Sequence, residues 1–371
     1  MKLSCEKYVL QNAVSVALRA AASKSPITAL EGLLLEASVD LKITGYDLKE
    51  GIYTLMAADV EEPGSIVVSA KLFSEMIRRM PDGIVTISTD ENLNINVRCG
   101  KSDFHFMGIS AEEYPEMPDV NGQSHVTLPQ KILRSMITQT IYAVATSDAR
   151  PIYTGTLFEI NGSELTLVSV DGYRLAKRTE HIENGQMENG SFVVPGSALS
   201  DIERICGDDE EATVQIAVGL KHISFGIGDT VVITRRLEGD FLNYRKSIPE
   251  NFRYQIKINR GDFMATIDRC ALIVSEKNTS PIRMTFGEDR IDCCCVTPVG
   301  RAEDVCPCQG SGDGMEIGFN DRYMMDALKA ANTDELVLRL NTSSSPSVLE
   351  AADGSKSFTY MILPVRLRAG E

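Results

Sequence analysis

Apolar residues in segment 6–21 fall at Leu10, Val14, Ala17, Leu18 and Ala21, the spacing of one helical face. Segment 129–145 repeats the pattern with Ile132, Leu133, Met136, Ile137 and Ile141, and Pro129 stands at a first-turn position where its missing N–H costs nothing. Segment 260–274 repeats it again with Phe263, Met264, Ile267 and Ala271. A second kind of segment also recurs: "GSIVVSAKLFSEMIRRM" (64–80), "GSFVVPGSALSDIERIC" (190–206) and "GMEIGFNDRYMMDALKA" (314–330). Each is a short apolar strand, a cap-like Ser, Pro or Asn, and an amphipathic helix. Val67, Val193 and Ile317 hold matching places, 126 and 124 residues apart. Six helices are thus predicted, over 6–21, 69–80, 129–145, 195–206, 260–274 and 320–331.

Between the helices the period changes to two. "GIVTISTDENLNINVRCG" alternates around a polar turn, and "TVQIAVGLKHISFGIGDTVVITRRL" reads as three strands broken by Gly and Asp. Pro- and Asn-rich stretches at 112–125 and 244–254 mark boundaries. The expectation is an α+β chain of three repeated domains, 1–121, 126–248 and 252–371, each with two helices packed on one face of antiparallel sheet. "EDVCPCQGSGDG" (303–314) reads as an insertion in the last repeat, and "RAGE" as a short tail.

Charge changes this picture. The net charge is −15 and the pI about 4.9, which argues against nucleic acid if the basic residues are scattered. They are not. The six predicted helices carry twelve basic and eight acidic residues, a surplus of four, and the remainder of the chain stands at −19. Either this is an ordinary solvated helix face, or head-to-tail units close into a ring whose helices give a mildly positive lumen. Such a lumen could hold duplex DNA by its phosphates without reading sequence.

Candidate chemistry is sparse. The nine cysteines include Cys293, Cys294 and Cys295 in a row. On a strand these alternate faces, so small buried hydrophobes fit better than a metal site. The four histidines lie far apart, and Gly100-Lys101-Ser102 lacks the first glycine of a phosphate loop. No catalytic constellation, metal or cofactor is expected, and the start "MKLSCEKYVLQN" lacks a signal-peptide core, which favours the cytoplasm. An acidic scaffold that binds only proteins, and a hydrolase with an Asp/Glu pair, remain open on composition alone. "SVDGYRLAKR" (169–178) turns at Asp171-Gly172 and then alternates charge with Leu175 and Ala176. On the residues alone Leu175 fits a core position better than the floor of a pocket.

Four motifs, "ARPIYTGTLFEI" (149–160), "SVDGYRLAKR", "EIGFNDRYMMDALKA" (316–330) and the closing "YMILPVRL" (360–367), together resemble the bacterial DNA polymerase III beta subunit family of sliding clamps across all three repeats. The resemblance implies a non-enzymatic processivity factor, a head-to-tail homodimer encircling duplex DNA. It implies a groove that takes short peptide motifs of the polymerase III alpha subunit, the clamp loader and repair or translesion proteins. By the resemblance the groove comprises Arg150, Tyr153, Gly172, Tyr173, Arg174, Leu175, Leu242, Lys246, Ser345, Pro346, Ser347, Ile362, Leu363, Pro364, Val365 and Arg366. Leu175, Leu242, Ile362, Leu363 and Val365 would form its floor, and Arg150, Arg174 and Arg366 its donors. Lys24, Arg78, Arg79, Lys131, Arg134 and Arg150 would face DNA. Phe104 and Phe106 would meet Leu272 and Ile273 between subunits. Tyr173, Leu242, Lys246 and Leu363 replace the His, Pro, Arg and Met frequent in the family, which bears on peptide preference.

Overall fold

The computed structural model describes residues 1–120, 124–147, 149–182, 189–275 and 280–367. The middle of the 112–125 boundary, the domain limits at 121 and 371 and the "RAGE" tail lie outside these residues. By contacts the described residues divide into two compact units, one within 1–134 and 197–236, the other within 135–182, 189–196 and 237–367. The division passes through the central repeat.

The first unit holds two sheets. In the five-stranded one, Lys2–Glu6 lies between Asp59–Glu62 and Ile84–Thr89, followed by Asn94–Cys99 and, at the edge, Ser102–Met107. The eight-stranded one joins Ser124–Pro129, Thr213–Val218, His222–Ile227 and Thr230–Arg235 to Glu50–Met56, Leu41–Tyr46, Gly32–Ala37 and Gly64–Ser69. Its seam is the antiparallel pair of 50–56 with 230–235, which sets Glu50 opposite Thr234 and Gly51 opposite Ile233.

The second unit carries one twelve-stranded sheet. Strands Gly155–Asn161, Glu164–Val170 and Arg174–His181 lead into Phe358–Ile362, with Arg174 opposite Ile362 and Leu175 opposite Met361. The two seams have the same construction. The strand after the Asp47 turn and the strand after the Asp171 turn each receive the last strand of the following repeat. Asp47 accepts the amides of Lys49 and Glu50, as Asp171 accepts those of Tyr173 and Arg174, and Leu48 and Gly172 both sit at positive φ. One bridge also recurs three times, as Val67 with Ile109, Val193 with Leu237, and Gly318 with Val365. In the last repeat the strand at this place is Gly300–Gln309, which begins at a Thr297 turn. Among the described residues nothing pairs with the outer edge of its 300–307 stretch, or with that of Ser102–Met107.

The helices are α1 (Lys7–Ala17), α2 (Ala70–Arg79), α3 (Gln130–Thr138), α4 (Gly196–Ile205), a single turn α5 (Tyr244–Ser247), α6 (Arg260–Ala271) and α7 (Asp321–Ala330). Asn259 and Asn320 cap α6 and α7 by accepting the amides of Asp262 and Tyr323; Ser69 makes no such bond. Three expected helices run too long. The apolar stripes of 6–21 and 129–145 continue through 3₁₀ turns at Leu18–Ala20 and Ile141–Ala143, and α6 stops at Ala271. A 3₁₀ turn keeps side chains three apart on one side, so periodicity does not separate it from the last helical turn. Pro129 closes a strand, one residue before α3. Segment 303–314 is no insertion: Glu303 to Gln309 continue a strand, and a turn leads from it to Met315–Phe319. The cysteines are free thiols; Cys293 and Cys295 are buried and Cys294 half-buried, as alternation requires. Among the described residues no cluster of metal-ligating side chains occurs, and no helix is long and apolar enough to cross a membrane.

Each seam carries a polar lock on its helix side. In the first unit Arg19 bonds Asp201 at 3.2 Å, beside the buried Glu50. Glu50 Oε1 has no partner among the described residues. Burial, then the fields of Asp201 and Asp47, push its carboxyl up to about 8. The folded state therefore binds a proton that the unfolded state has released above about pH 4.5, so Glu50's contribution is full below that value and is lost as pH rises towards 8. Denaturant titrations should show stability falling by up to about 5 kcal/mol over that window, and Glu50→Gln should flatten the fall and be the more stable protein at pH 8.

Candidate peptide-binding site

The expected groove residues all lie in the second unit. Leu175 is 1% exposed and packs with Ile152, Val170, Tyr244, Val348 and Met361 on the face of the sheet opposite the helices. Its neighbours Arg174 and Ala176 point the other way, because side chains alternate along a strand. The same alternation corrects one assignment. Ile362 packs into the helix-side core with Ala176 and Tyr360, and Met361, opposite Leu175, takes the floor position. A one-residue slip along a strand exchanges the faces.

Beyond Ile362 the chain leaves the ladder in a defined way. Leu363 N donates to Tyr173 O at 2.9 Å and Val365 N to Gly318 O at 2.8 Å, with Pro364, which has no N–H, between them. Buried Ser347 donates its hydroxyl to Ile362 O at 3.1 Å, which fixes this end of the strand. Ser345 pairs with the Thr342 hydroxyl at 2.7 Å, and Pro346 is half-buried. Leu242, Val365, Lys246, Arg150, Arg366, Gly172 and Tyr173 are exposed, and Leu363 is half-buried. Arg150 lies over the Tyr153 ring at 5.7 Å, and Tyr153 meets Phe241 edge-on at 5.6 Å. The result is an apolar floor with a basic margin, suited to an apolar anchor on an acidic or carbonyl-rich peptide.

Arg174 does not belong to that margin. Its side chain is on the helix side, where Nε donates to Asp171 at 2.9 Å and Nη1 to Asp326 of α7 at 2.6 Å. It lies over the rings of Tyr323 at 4.5 Å and Tyr142 at 5.3 Å. Burial disfavours its charge, but Asp326 and Asp171 more than offset this and raise its pKa. Arg174 is the lock of the second seam, at the place of Glu50 in the first.

Three contributors escaped the sequence reading: Met361, Phe241 and Tyr244. Tyr244 is buried and its hydroxyl donates to Glu159 at 2.5 Å, while Arg245 binds the same carboxylate at 2.7 and 3.0 Å. Burial alone would raise Glu159; the bonds from Arg245 and Tyr244 reverse this and hold its carboxyl below the usual range. The α5 turn carrying Lys246 is thereby fixed to the sheet. Strand alternation counted back from Leu175's partner would have found Met361; nothing local signals Tyr244.

The basic residues assigned to the helices are exposed but largely paired. Arg78 and Arg79 share Glu75 at 2.7 and 2.9 Å, Lys131 binds Glu210 at 2.9 Å, and Arg134 binds Asp208 at 2.5 Å. Lys24 is exposed. The basic residues of α3 are thus compensated by an acidic run at 208–211 that follows α4, and those of α2 by Glu75 on the same helix. Phe104 and Leu272 are exposed at 40% and 79%, whereas Phe106 and Ile273 are partly buried.

Removing one member of the buried lock leaves carboxylates without their cation. Arg174→Ala should lower unfolding free energy by about 3 kcal/mol, and Arg366→Ala by less than about 0.5 kcal/mol, both read by urea denaturation.

Comparison with known proteins agrees with this architecture. Family models of the DNA polymerase III beta subunit match in order: the N-terminal domain over residues 1–118, the central domain over 127–243 and the C-terminal domain over 245–366. The beta sliding clamp of Staphylococcus epidermidis is 30% identical over 99% of both chains, and that of Staphylococcus aureus 31% identical over 94% of this chain and 95% of its own. The Bacillus subtilis DNA polymerase sliding clamp superposes with a TM-score of 0.95 at 28% identity, covering 99% of this chain and all of the other. A DNA polymerase III beta subunit from Eubacterium rectale gives 0.93 at 30% identity over 98% of this chain and 99% of its own. With three α+β domains matched in order along its length, the chain belongs to the DNA polymerase III beta subunit family, the bacterial sliding clamps.

Proposed function

We propose that this protein is a DNA sliding clamp: a homodimeric ring that encircles duplex DNA without reading its sequence and tethers the replicative polymerase. It is not an enzyme; it converts a distributive polymerase into a processive one by topology. The observation that carries this reading is the pair of free strand edges. Twice within the chain, a repeat's turn-following strand receives the last strand of the next repeat. That leaves the 300–307 edge without a donor and Ser102–Met107 without a host. A second copy joined head to tail satisfies both edges, twice, by one rule. Three domains near 1–121, 126–248 and 252–371 fit the family-model limits of 1–118, 127–243 and 245–366.

The repeat also supports a register. Phe106 corresponds to Thr234 and Ile362, and Gly300 to Glu50 and Arg174, so Phe106 would face Gly300 and Phe104 would face Ala302. Phe104 then corresponds to Tyr360, and Leu272 to Tyr142, each twelve residues beyond the equivalent helix start; the rings of Tyr360 and Tyr142 meet at 5.6 Å in the second seam. This supports the contact of Phe104 and Phe106 with Leu272 and Ile273. The lock is absent from this third seam, where Gly300 and Leu272 stand in place of Arg174 and Tyr142. An apolar seam without an ion lock is the one a loader opens most easily.

Lys24, Arg78, Arg79, Lys131, Arg134 and Arg150 are our DNA-facing set. Exposed ion pairs contribute only about 0–1 kcal/mol, so phosphates displace their carboxylates readily and hold weakly, as sliding requires. The groove around Leu175, Met361 and Leu363 is our docking site for peptide motifs of the polymerase III alpha subunit, the clamp loader and repair or translesion proteins. The protein acts with the replication machinery in the cytoplasm.

Leu272→Asp places a charge in the proposed seam at a solvent-exposed position. Sedimentation should give dimers for the native protein and monomers for the variant. The native ring should stay on nicked circular DNA after loading and run off once the circle is cut, and the variant should not be retained. A variant that remains dimeric, or retention that survives linearisation, contradicts the ring.

A further inference from the structure

The first repeat carries a groove of its own, of about 750 Å³, on the sheet face away from its helices and beneath the 111–119 segment. Its floor corresponds, residue for residue, to the floor around Leu175. Ile233 faces Gly51 across the first seam as Met361 faces Leu175 across the second. The covering segment enters through the Val67–Ile109 bridge, the counterpart of Val193–Leu237. The two grooves differ in three respects. Gly51 has no side chain, and the Met117 methyl lies 2.5 Å from where its Cβ would be, so the linker itself supplies the floor that Leu175 supplies in the other groove. Thr44 replaces Val168; it is 3% exposed, lines the groove, and its hydroxyl has no partner among the described residues. Leu55, 46% exposed, offers an apolar wall.

The rim is of opposite sign. Glu36, Glu112, Glu116 and Asp119 line this groove against a single cation, Lys42, which Glu36 binds at 3.1 Å. The C-terminal groove is margined by Arg150, Lys246 and Arg366. An apolar floor under a ring of carboxylates selects apolar anchors flanked by positive charge.

We propose that the groove beneath the 111–119 segment is a second docking site, which takes a short peptide of basic and apolar residues from a partner protein. An apolar side chain would rest on Leu55 and Met117, and Lys or Arg would meet Glu112 and Glu116. The inference rests on the reading of the C-terminal groove as a peptide site only for its analogy; its residues are independent.

Two fluorescein-labelled pentapeptides test it by anisotropy on the intact protein, one with a Leu-Phe pair flanked by lysines and one with the same pair flanked by glutamates. The lysine peptide should bind, and should lose about tenfold in affinity with the double substitution Glu112→Lys and Glu116→Lys and with Leu55→Ala. Leu363→Ala should leave it unchanged. The glutamate peptide should respond only to Leu363→Ala. No binding of the lysine peptide at about 1 mM, or binding that ignores the groove substitutions or is weakened by Leu363→Ala, overturns the proposal. A glutamate peptide indifferent to Leu363→Ala would overturn the C-terminal site and leave this one standing.

Discussion

An unpaired strand edge is a row of amides and carbonyls in search of partners, and the whole chain is organised around satisfying such edges. The strand after each repeat's tight turn has one neighbour within its own repeat and needs a second from outside. Glu50–Met56 obtains it from Thr230–Arg235, and Arg174–His181 from Phe358–Ile362. Gly300–Gln309 obtains only its last two residues' worth, from Lys257 and Ile258. Because the donor strand always comes from the next repeat, three repeats leave one vacancy and one unused donor. Pairing them between two copies closes the series, whereas any single chain is left open.

The same seams explain where the proposed docking grooves lie. Crossing from one repeat to the next brings two sheets edge to edge and a linker across the outer face. On the helix side the seam is held by charge, Arg19 with Asp201 or Arg174 with Asp326; on the outer face it leaves an apolar trough. Locks and troughs are two faces of one junction. In the ring we propose, the intersubunit junction would retain the backbone rule but with glycine and leucine at the lock positions. Its strength would then come from Phe104, Phe106, Leu272 and Ile273, which would bury apolar area without fixed charge.

Local patterning was legible in the sequence, and partnership was not. The three repeats, the position of each helix, the hairpins of 84–99 and 213–235 and the alternation of Cys293–Cys295 all follow from periods of 3.6 and 2. Arg174 looked like a rim residue because its partner, Asp326, is 152 residues away on another repeat. Ile362 was put on the wrong face because face follows from register, and register was fixed by a strand pairing with no local signature. The basic surplus of the helices was correct as a count, yet the 208–211 carboxylates that compensate α3 belong to a loop after a different helix. Met117 beside Gly51 shows the same limit: a glycine in a strand signals a close approach, but not which side chain makes it.

The central claim is that the two free edges pair in the register used by both internal seams. With Cys294 and Cys308 replaced by serine, a Phe104→Cys, Ala302→Cys protein treated with a short thiol cross-linker should run as a covalently closed dimer on a denaturing gel. Phe104→Cys with Val305→Cys, three residues out of register, should stay largely monomeric. Equal cross-linking of the two proteins, or none in the first, would contradict the account.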